Sequence, residues 1–355
     1  MTVLHIIEPF AGGVTTFIGH LASHLPQHRH IVVHGRRTSV DQIESVRRRF
    51  PAGVEFEIWE HAQREINIWR DFRALMFLIR LLRKKSFDVV HLHSSKAGSL
   101  GRIACFFLGI QAVLYTPHAA PFMRRDISGR TRGLYIFLEK LATMLPGPVV
   151  CCCQEELREY QKVGIRALCI NNGTNITTQE QKPQTNGNVV IMCSALITRQ
   201  KNPGLFNAIA SQLANNKNVV FYWVGDGELR SEINSDNVII TGWLSRPEVQ
   251  RYFQTASIYL ATSQWEGLPY AVLEAMNAQC CLVLSDCGGH RDLVKPGQNG
   301  FLFNSAEQAV AHIEWLLADA GRIARMGIES RRICAAEFDA SKMAEGYNAL
   351  YCSLK

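Results

Sequence analysis

Two glutamates, Glu266 and Glu274, stand with seven residues between them in the run Trp265-Glu266-Gly267-Leu268-Pro269-Tyr270-Ala271-Val272-Leu273-Glu274-Ala275-Met276. Tyr270 to Met276 has the spacing of the first turns of a helix, and Gly267-Leu268-Pro269 is a loop that must bend. One carboxylate on the loop and one on the following helix converge at that helix's N-terminus. Carboxylates accept hydrogen bonds from vicinal hydroxyls, and a helix N-terminus attracts phosphate. The pair therefore suits a molecule that combines a sugar, a ribose and a phosphate. Without its flanks, the same pair reads equally well as two surface acids, one of them favoured near a helix N-terminus.

The flanks decide between these readings. Thr262-Ser263-Gln264-Trp265-Glu266-Gly267-Leu268-Pro269, Leu273-Glu274-Ala275-Met276, Ser285-Asp286-Cys287-Gly288-Gly289 and Gly297-Gln298-Asn299-Gly300-Phe301-Leu302 follow in order. This succession resembles the donor-binding half of family-four retaining glycosyltransferases of the bacterial polysaccharide and O-antigen type. Weaker matches extend over nearly the whole chain. The resemblance implies an α/β protein with two doubly wound Rossmann-like domains facing across a cleft (GT-B). It also implies a sugar moved from a nucleotide-diphosphate sugar to a hydroxyl of a lipid-linked glycan or oligosaccharide, with no metal and no cofactor.

Residue by residue, the resemblance assigns Glu274 to the ribose hydroxyls and Glu266 to hydroxyls of the donor sugar. Gly267, Leu268 and Pro269 then offer backbone groups to the diphosphate and sugar. Gly225 and Gly227, in Val224-Gly225-Asp226-Gly227-Glu228, lie at the cleft edge, and Trp243 follows the next strand near the base. The glycines of this run, and Gly242 before Trp243, are also what any tight strand-to-helix turn needs. Breaking the anomeric bond leaves negative charge on the leaving phosphate, and Lys201 matches the family's lysine there. Where the family shows arginine this chain has Ala195, which leaves Arg199 as the nearby cation.

On the acceptor side, Glu8-Pro9-Phe10-Ala11-Gly12-Gly13 opens the first helix, and the resemblance places Gly13 near the reacting centre. His118, in Tyr115-Thr116-Pro117-His118, matches a histidine near the donor sugar; the alternative is a histidine that caps a turn. With Glu266 and Lys201 it completes the expected catalytic set. Ser94 and Lys96, in the loop after His91-Leu92-His93, and Arg124 and Arg125, in Phe122-Met123-Arg124-Arg125, are candidates for contact with acceptor or membrane.

The rest of the chain must position these residues. With 355 residues, 47% hydrophobic and 19% charged, it is long enough for two ordinary globular domains. Strand-like runs at Val3–Ile7, Arg29–His34, Val54–Ile58, Val89–His93, Val113–Thr116 and Val149–Cys153 alternate with helical patterns. These include Thr15–Leu25, Ile68–Lys85, Leu100–Phe107 and Gly133–Leu145. A second alternation runs from Val189 to Ala318, after a polar linker at Asn175–Asn188. The expected division is an acceptor-binding domain over 1–175, joined by a crossover helix at about 339–355, and a donor-binding domain over 186–338.

Residues 1–170 carry 23 Lys and Arg against 14 Asp and Glu, while 171–355 carry 15 against 17. The basic front half fits an anionic membrane surface or a phosphate-bearing acceptor. It lacks the aromatic–basic interleaving of nucleic-acid modules, so no nucleic-acid partner is expected. The basic, apolar helix Ile68–Lys85 either packs on its own sheet or lies on a membrane.

The N-terminus reads as a buried strand and not a signal peptide, and no apolar run reaches ~18 residues. The expected location is cytoplasmic, with peripheral attachment to the inner face of the membrane. Eleven cysteines without a paired C-x-x-C read as reduced thiols, and His91 and His93 read as non-metal. The rival functions are an epimerase or hydrolase of the same fold, or a non-catalytic sugar-nucleotide-binding subunit. The first needs no acceptor half; the second is suggested only by Ala195.

Overall fold

The computed structural model describes residues 1–37, 42–63, 65–177 and 188–355. It divides into two compact units, Met1–Asn175 with Ala340–Lys355, and Ile176–Asp339. The expected linker at Asn175–Asn188 lies mostly outside the described residues, as does the start of the expected second domain at 186.

The first unit holds β1 (Thr2–Pro9), β2 (Arg29–Arg37), β3 (Glu55–Ile58), β4 (Val89–His93), β5 (Val113–Thr116), β6 (Val149–Cys151) and β7 (Ala167–Cys169). They pair in parallel in the order β3-β2-β1-β4-β5-β6-β7. From β1 the chain winds outward to β2 and β3, then returns to β4 on the other side. That reversal is the switch point of a doubly wound sheet, where the loops at the carboxyl ends of β1 and β4 part to leave a crevice. Both strands are almost wholly buried, as helix-covered parallel strands must be. The terminal helix, Ala340–Leu354, belongs to this unit and buries Tyr347 and Tyr351.

The second unit holds β8 (Val189–Ser194), β9 (Val219–Val224), β10 (Val238–Ile240), β11 (Ile258–Ala261), β12 (Cys281–Ser285) and β13 (Gly300–Phe303). Its parallel order is β10-β9-β8-β11-β12-β13, with the switch point between β8 and β11. Phe206, Phe221 and Trp223 pack edge to face in its core. Each unit is thus a Rossmann-like α/β sheet.

The expected last strand of the first unit is shorter in the structure. It stops at Cys151, and Cys153 turns to accept the Glu156 N–H on its Sγ at 3.4 Å, opening helix Gln154–Lys162. That helix is too polar for periodicity to reveal, and the edge strand β7 is only three residues long. All eleven cysteines are free, and all but Cys169 and Cys352 are buried. Among the described residues no helix is long and apolar enough to cross a membrane.

Candidate active site

The loops that follow β8 and β11, the two strands at the switch point, are tied together in the second unit. Thr262 donates from Oγ1 to the carbonyls of Lys201 and Asn202, at 2.7 and 3.1 Å. Gln264 N–H donates to Gln200 O at 2.8 Å, and Gln200 Nε2 returns to Trp265 O at 2.9 Å. Asn202, in the left-handed region at φ 53°, ends the short turn Arg199–Lys201, and Pro203 opens the next helix.

This bracing aims Lys201 Nζ at Glu266 Oε1, 2.5 Å away. Burial pulls Lys201 toward neutrality, but the Glu266 carboxylate outweighs it and holds the ammonium pKa above its ordinary value. Burial likewise pushes Glu266 up, while Lys201 and then His290 outweigh that and hold it low. Both groups are therefore charged, with Glu266 buried and Lys201 partly exposed.

Glu274, in helix Tyr270–Asn277, has different surroundings. Burial raises its pKa, and its ion-pair partner is Arg246, at 3.5 Å, the first residue of helix Arg246–Thr255. One glutamate is thus held ionised and the other drawn toward its neutral form.

Several glycines let the backbone close on this site. A Cβ at Gly225 would collide with Ala195 O, and one at Gly227 with Ile197 O, so both seat the loop after β8. Gly288 and Gly289 similarly admit the carbonyls of Glu266 and Gly267. Leu268 is buried, Pro269 precedes the helix as its N-cap, and Trp243 is 48% exposed beside Gly242. Arg199 does not join Lys201: it is exposed and makes no ion pair among the described residues. Successive residues of a 3₁₀ turn point about 120° apart, so Arg199 and Lys201 face different directions.

Two residues at this site escaped the sequence reading, Arg246 and His290. His290 is fully buried, with Nδ1 2.9 Å from Ser285 O and Nε2 without a partner among the described residues. Nothing in its local sequence, Gly289-His290-Arg291, marks it out.

In the first unit the loops after β4 and β5 are strained. Ser94 (φ 67°), His118 (φ 56°) and Ala119 (φ 77°) all occupy the left-handed region without being glycine. Such backbone persists only where its surroundings impose it, and it concentrates at functional sites. Here Glu156, fully buried, accepts the N–H groups of Ala119 and Ala120 at 2.8 and 3.0 Å, and that of Cys152 at 2.8 Å. The sequence reading missed Glu156 because a glutamate in Gln154-Glu155-Glu156 looks like a solvated helix start.

His118 is partly buried, with Nε2 3.1 Å from His93 Nδ1 and its ring edge-on to Phe17. Gly12, at φ 63°, starts helix Gly12–His24, with Gly13 second and no side chain capping its N-terminus. Ser94 Oγ is buried without a partner among the described residues. Lys96 is committed to Asp71 at 2.7 Å and Arg124 is bidentate to Asp126, which leaves Arg125 as the exposed cation of that loop.

The profile of Glycosyltransferase Family 4 covers residues 11–178, and that of Glycosyl transferases group 1 covers residues 187–319. This chain belongs to the family-four glycosyltransferases. It is 29% identical over 269 residues to the Escherichia coli UDP-Gal:alpha-D-GlcNAc-diphosphoundecaprenol alpha-1,3-galactosyltransferase, covering 67% of this chain and 68% of that protein.

Among solved structures, a sucrose-phosphate synthase from Thermosynechococcus elongatus superposes with a TM-score of 0.83 at 16% identity, covering 100% of this chain and 99% of that one. The Anabaena protein HepE, in complex with UDP and glucose, gives 0.78 at 17% identity, covering 99% of this chain and 100% of that one. These neighbours establish the GT-B fold class for this glycosyltransferase. A nucleotide sugar is its donor, as the family requires.

Proposed function

We propose that this enzyme transfers a hexose from a uridine diphosphate sugar, with retention of anomeric configuration, to a hydroxyl of a lipid-linked glycan in cell-surface polysaccharide synthesis. The observation that carries this reading is the Lys201–Glu266 pair at the switch point of the second unit, with Glu274 on the helix that follows. In this reading Glu274 and Arg246 hold the ribose, and Glu266 holds the donor sugar. Lys201 neutralises the charge that grows on the leaving phosphate. Gly267, Leu268 and Pro269 contribute backbone groups, Gly225 and Gly227 shape the phosphate loop, and Trp243 flanks the base.

No metal is needed where a charged lysine meets the diphosphate, and electrostatic support of that kind is the main catalytic term. The uridine assignment is supported by the UDP-sugar named for the Escherichia coli relative and the UDP bound in the Anabaena structure. In this reading the first unit takes the acceptor side, with Ser94 a contact for the acceptor and Gly13 and His118 assigned to the donor.

Thermal unfolding tests the donor site. UDP-sugars should raise the melting temperature of wild type where GDP- and dTDP-sugars do not, and Glu274→Ala should abolish the shift. Protection that survives this substitution would remove Glu274 from the site.

The membrane part of the reading rests on helix Gly129–Ala142. Its only buried residue is Glu139, hydrogen-bonded by Tyr115 and Tyr160 at 3.2 and 3.3 Å. Leu134, Phe137, Leu138 and Leu141 repeat at helical spacing on the exposed side, followed by exposed Met144. Arg125, Arg130 and Lys140 lie exposed around this stripe. Apolar side chains ringed by cations fit an anionic bilayer surface. Pelleting with phosphatidylglycerol vesicles, but not phosphatidylcholine vesicles, should be lost in Phe137→Glu. Equal pelleting of the variant and wild type would reject the surface.

A further inference from the structure

Four buried or half-buried histidines of the first unit form one continuous line. His30 Nε2 lies 3.2 Å from Leu25 O, and His30 Nδ1 lies 3.1 Å from His5 Nε2. His5 Nδ1 is 3.1 Å from His93 Nε2, and His93 Nδ1 is 3.1 Å from His118 Nε2. Strand register explains the assembly: His5 pairs beside His91 across β1 and β4, and side chains two residues apart share a face.

The line has a direction. A carbonyl oxygen only accepts, so His30 must carry its proton on Nε2. A neutral His30 then has only a lone pair on Nδ1, and His5 must donate to it from Nε2. The same argument passes to His93 and to His118. Each ring is neutral because burial holds His5 and His93 well below the ordinary histidine value, His30 at about 4 and His118 at about 3. The line cannot conduct protons away from His118, because it ends on a carbonyl.

We propose that His30, His5 and His93 are positioning residues that lock His118 as the neutral Nε2–H tautomer, so that its free Nδ1 accepts a hydrogen bond from a sugar hydroxyl. A lone pair repels phosphate oxygens, so His118 recognises the sugar and not the diphosphate. The identity of that ligand rests on the glycosyltransferase reading; the lock itself does not.

His5, His91 and His93 could also be taken for a metal site, since their ligand atoms lie within 4.8 Å of one another. Every ring nitrogen of the three already has a hydrogen-bonding partner, however, with His91 held by Tyr351 OH at 2.7 Å and Thr116 Oγ1 at 2.9 Å. An ion would have to break several of these bonds at once.

Protein labelled with nitrogen-15 histidine, without substrate, tests the lock through long-range nitrogen–proton correlation spectra. At pH 7.5 His30, His5, His93 and His118 should each appear neutral and protonated on Nε2. A His118 protonated on Nδ1, or on both nitrogens, would overturn the proposal, and so would zinc retained at one equivalent through these rings.

His5→Leu should release His93 and His118 into mixed tautomers and lower kcat/KM ~10-fold. His5→Gln, whose carbonyl can accept from His93, should restore both. A His5→Leu protein whose His118 stays on one tautomer would overturn the lock, and if that variant does not fold the wild-type spectrum still decides. UDP protection against unfolding should be the same in His5→Leu as in wild type. Its absence from wild type would count against the nucleotide-sugar reading alone.

Discussion

The two units place loops at the same point of the same kind of sheet and furnish them with opposite chemistry. At the β8–β11 switch point a lysine and a glutamate are kept charged by each other, with an arginine–glutamate pair on the helices nearby. At the β1–β4 switch point the groups are histidines kept neutral by burial, hydrogen-bonded ring to ring. A diphosphate leaving group needs fixed charge, whereas a hydroxyl needs a well-aimed neutral acceptor. The fold supplies a crevice in both cases, and the side chains decide what enters it.

The charged site can be broken most severely. Glu266→Leu leaves Lys201, whose side chain is 24% exposed, without its counter-charge; breaking a fully buried pair costs roughly 3–5 kcal/mol, and this half-buried one should cost less. Denaturant unfolding should show that loss, and a change within the scatter of surface variants would mean that the pair is solvated. Lys201→Met should lower kcat by about 10²–10³ with the donor KM little changed, as expected for a group acting on transition-state charge. An effect confined to KM would make Lys201 a binding residue only.

Acid should separate the two units. The unfolded chain takes up protons on His30, His34 and His118 near 6.5, whereas the folded values are about 4, 4 and 3. Their contribution is therefore complete above pH 6.5 and falls as pH drops from 6.5 toward 4. Glu266 has the same sign but a lower window: its pKa is held below the ordinary 4.5, so its contribution is lost only as pH falls below that value. Hydrogen exchange at pH 5 should show β1 and β4 losing protection before β8 and β11. Loss in the reverse order would refute the contrast.

The smallest expected effect is that of Arg199→Ala, under about threefold in kcat/KM, because an exposed unpaired cation contributes little. A loss as large as that of Lys201→Met would show that Arg199 replaces the family arginine absent at Ala195.

Much of this was legible in the chain. Glu266, Lys201 and Glu274 sit in runs whose order survives in sequence, because a loop between a strand and a helix keeps its neighbours whatever the tertiary context. Arg246, His290 and Glu156 were not legible, since each acts on residues far along the chain. For helix Gly129–Ala142 periodicity located an apolar stripe but could not say whether the stripe faces the core.

The sequence by itself determined the alternation of strands and helices, the two-unit α/β architecture and the family, because these depend on local pattern and on motif order. Only the tertiary structure decided the pairing of Lys201 with Glu266, the commitment of Lys96 and Arg124 to carboxylates, and the line from His30 to His118. Those depend on burial and on which strands become neighbours, and β1 meets β4 only after the chain has passed through β2 and β3.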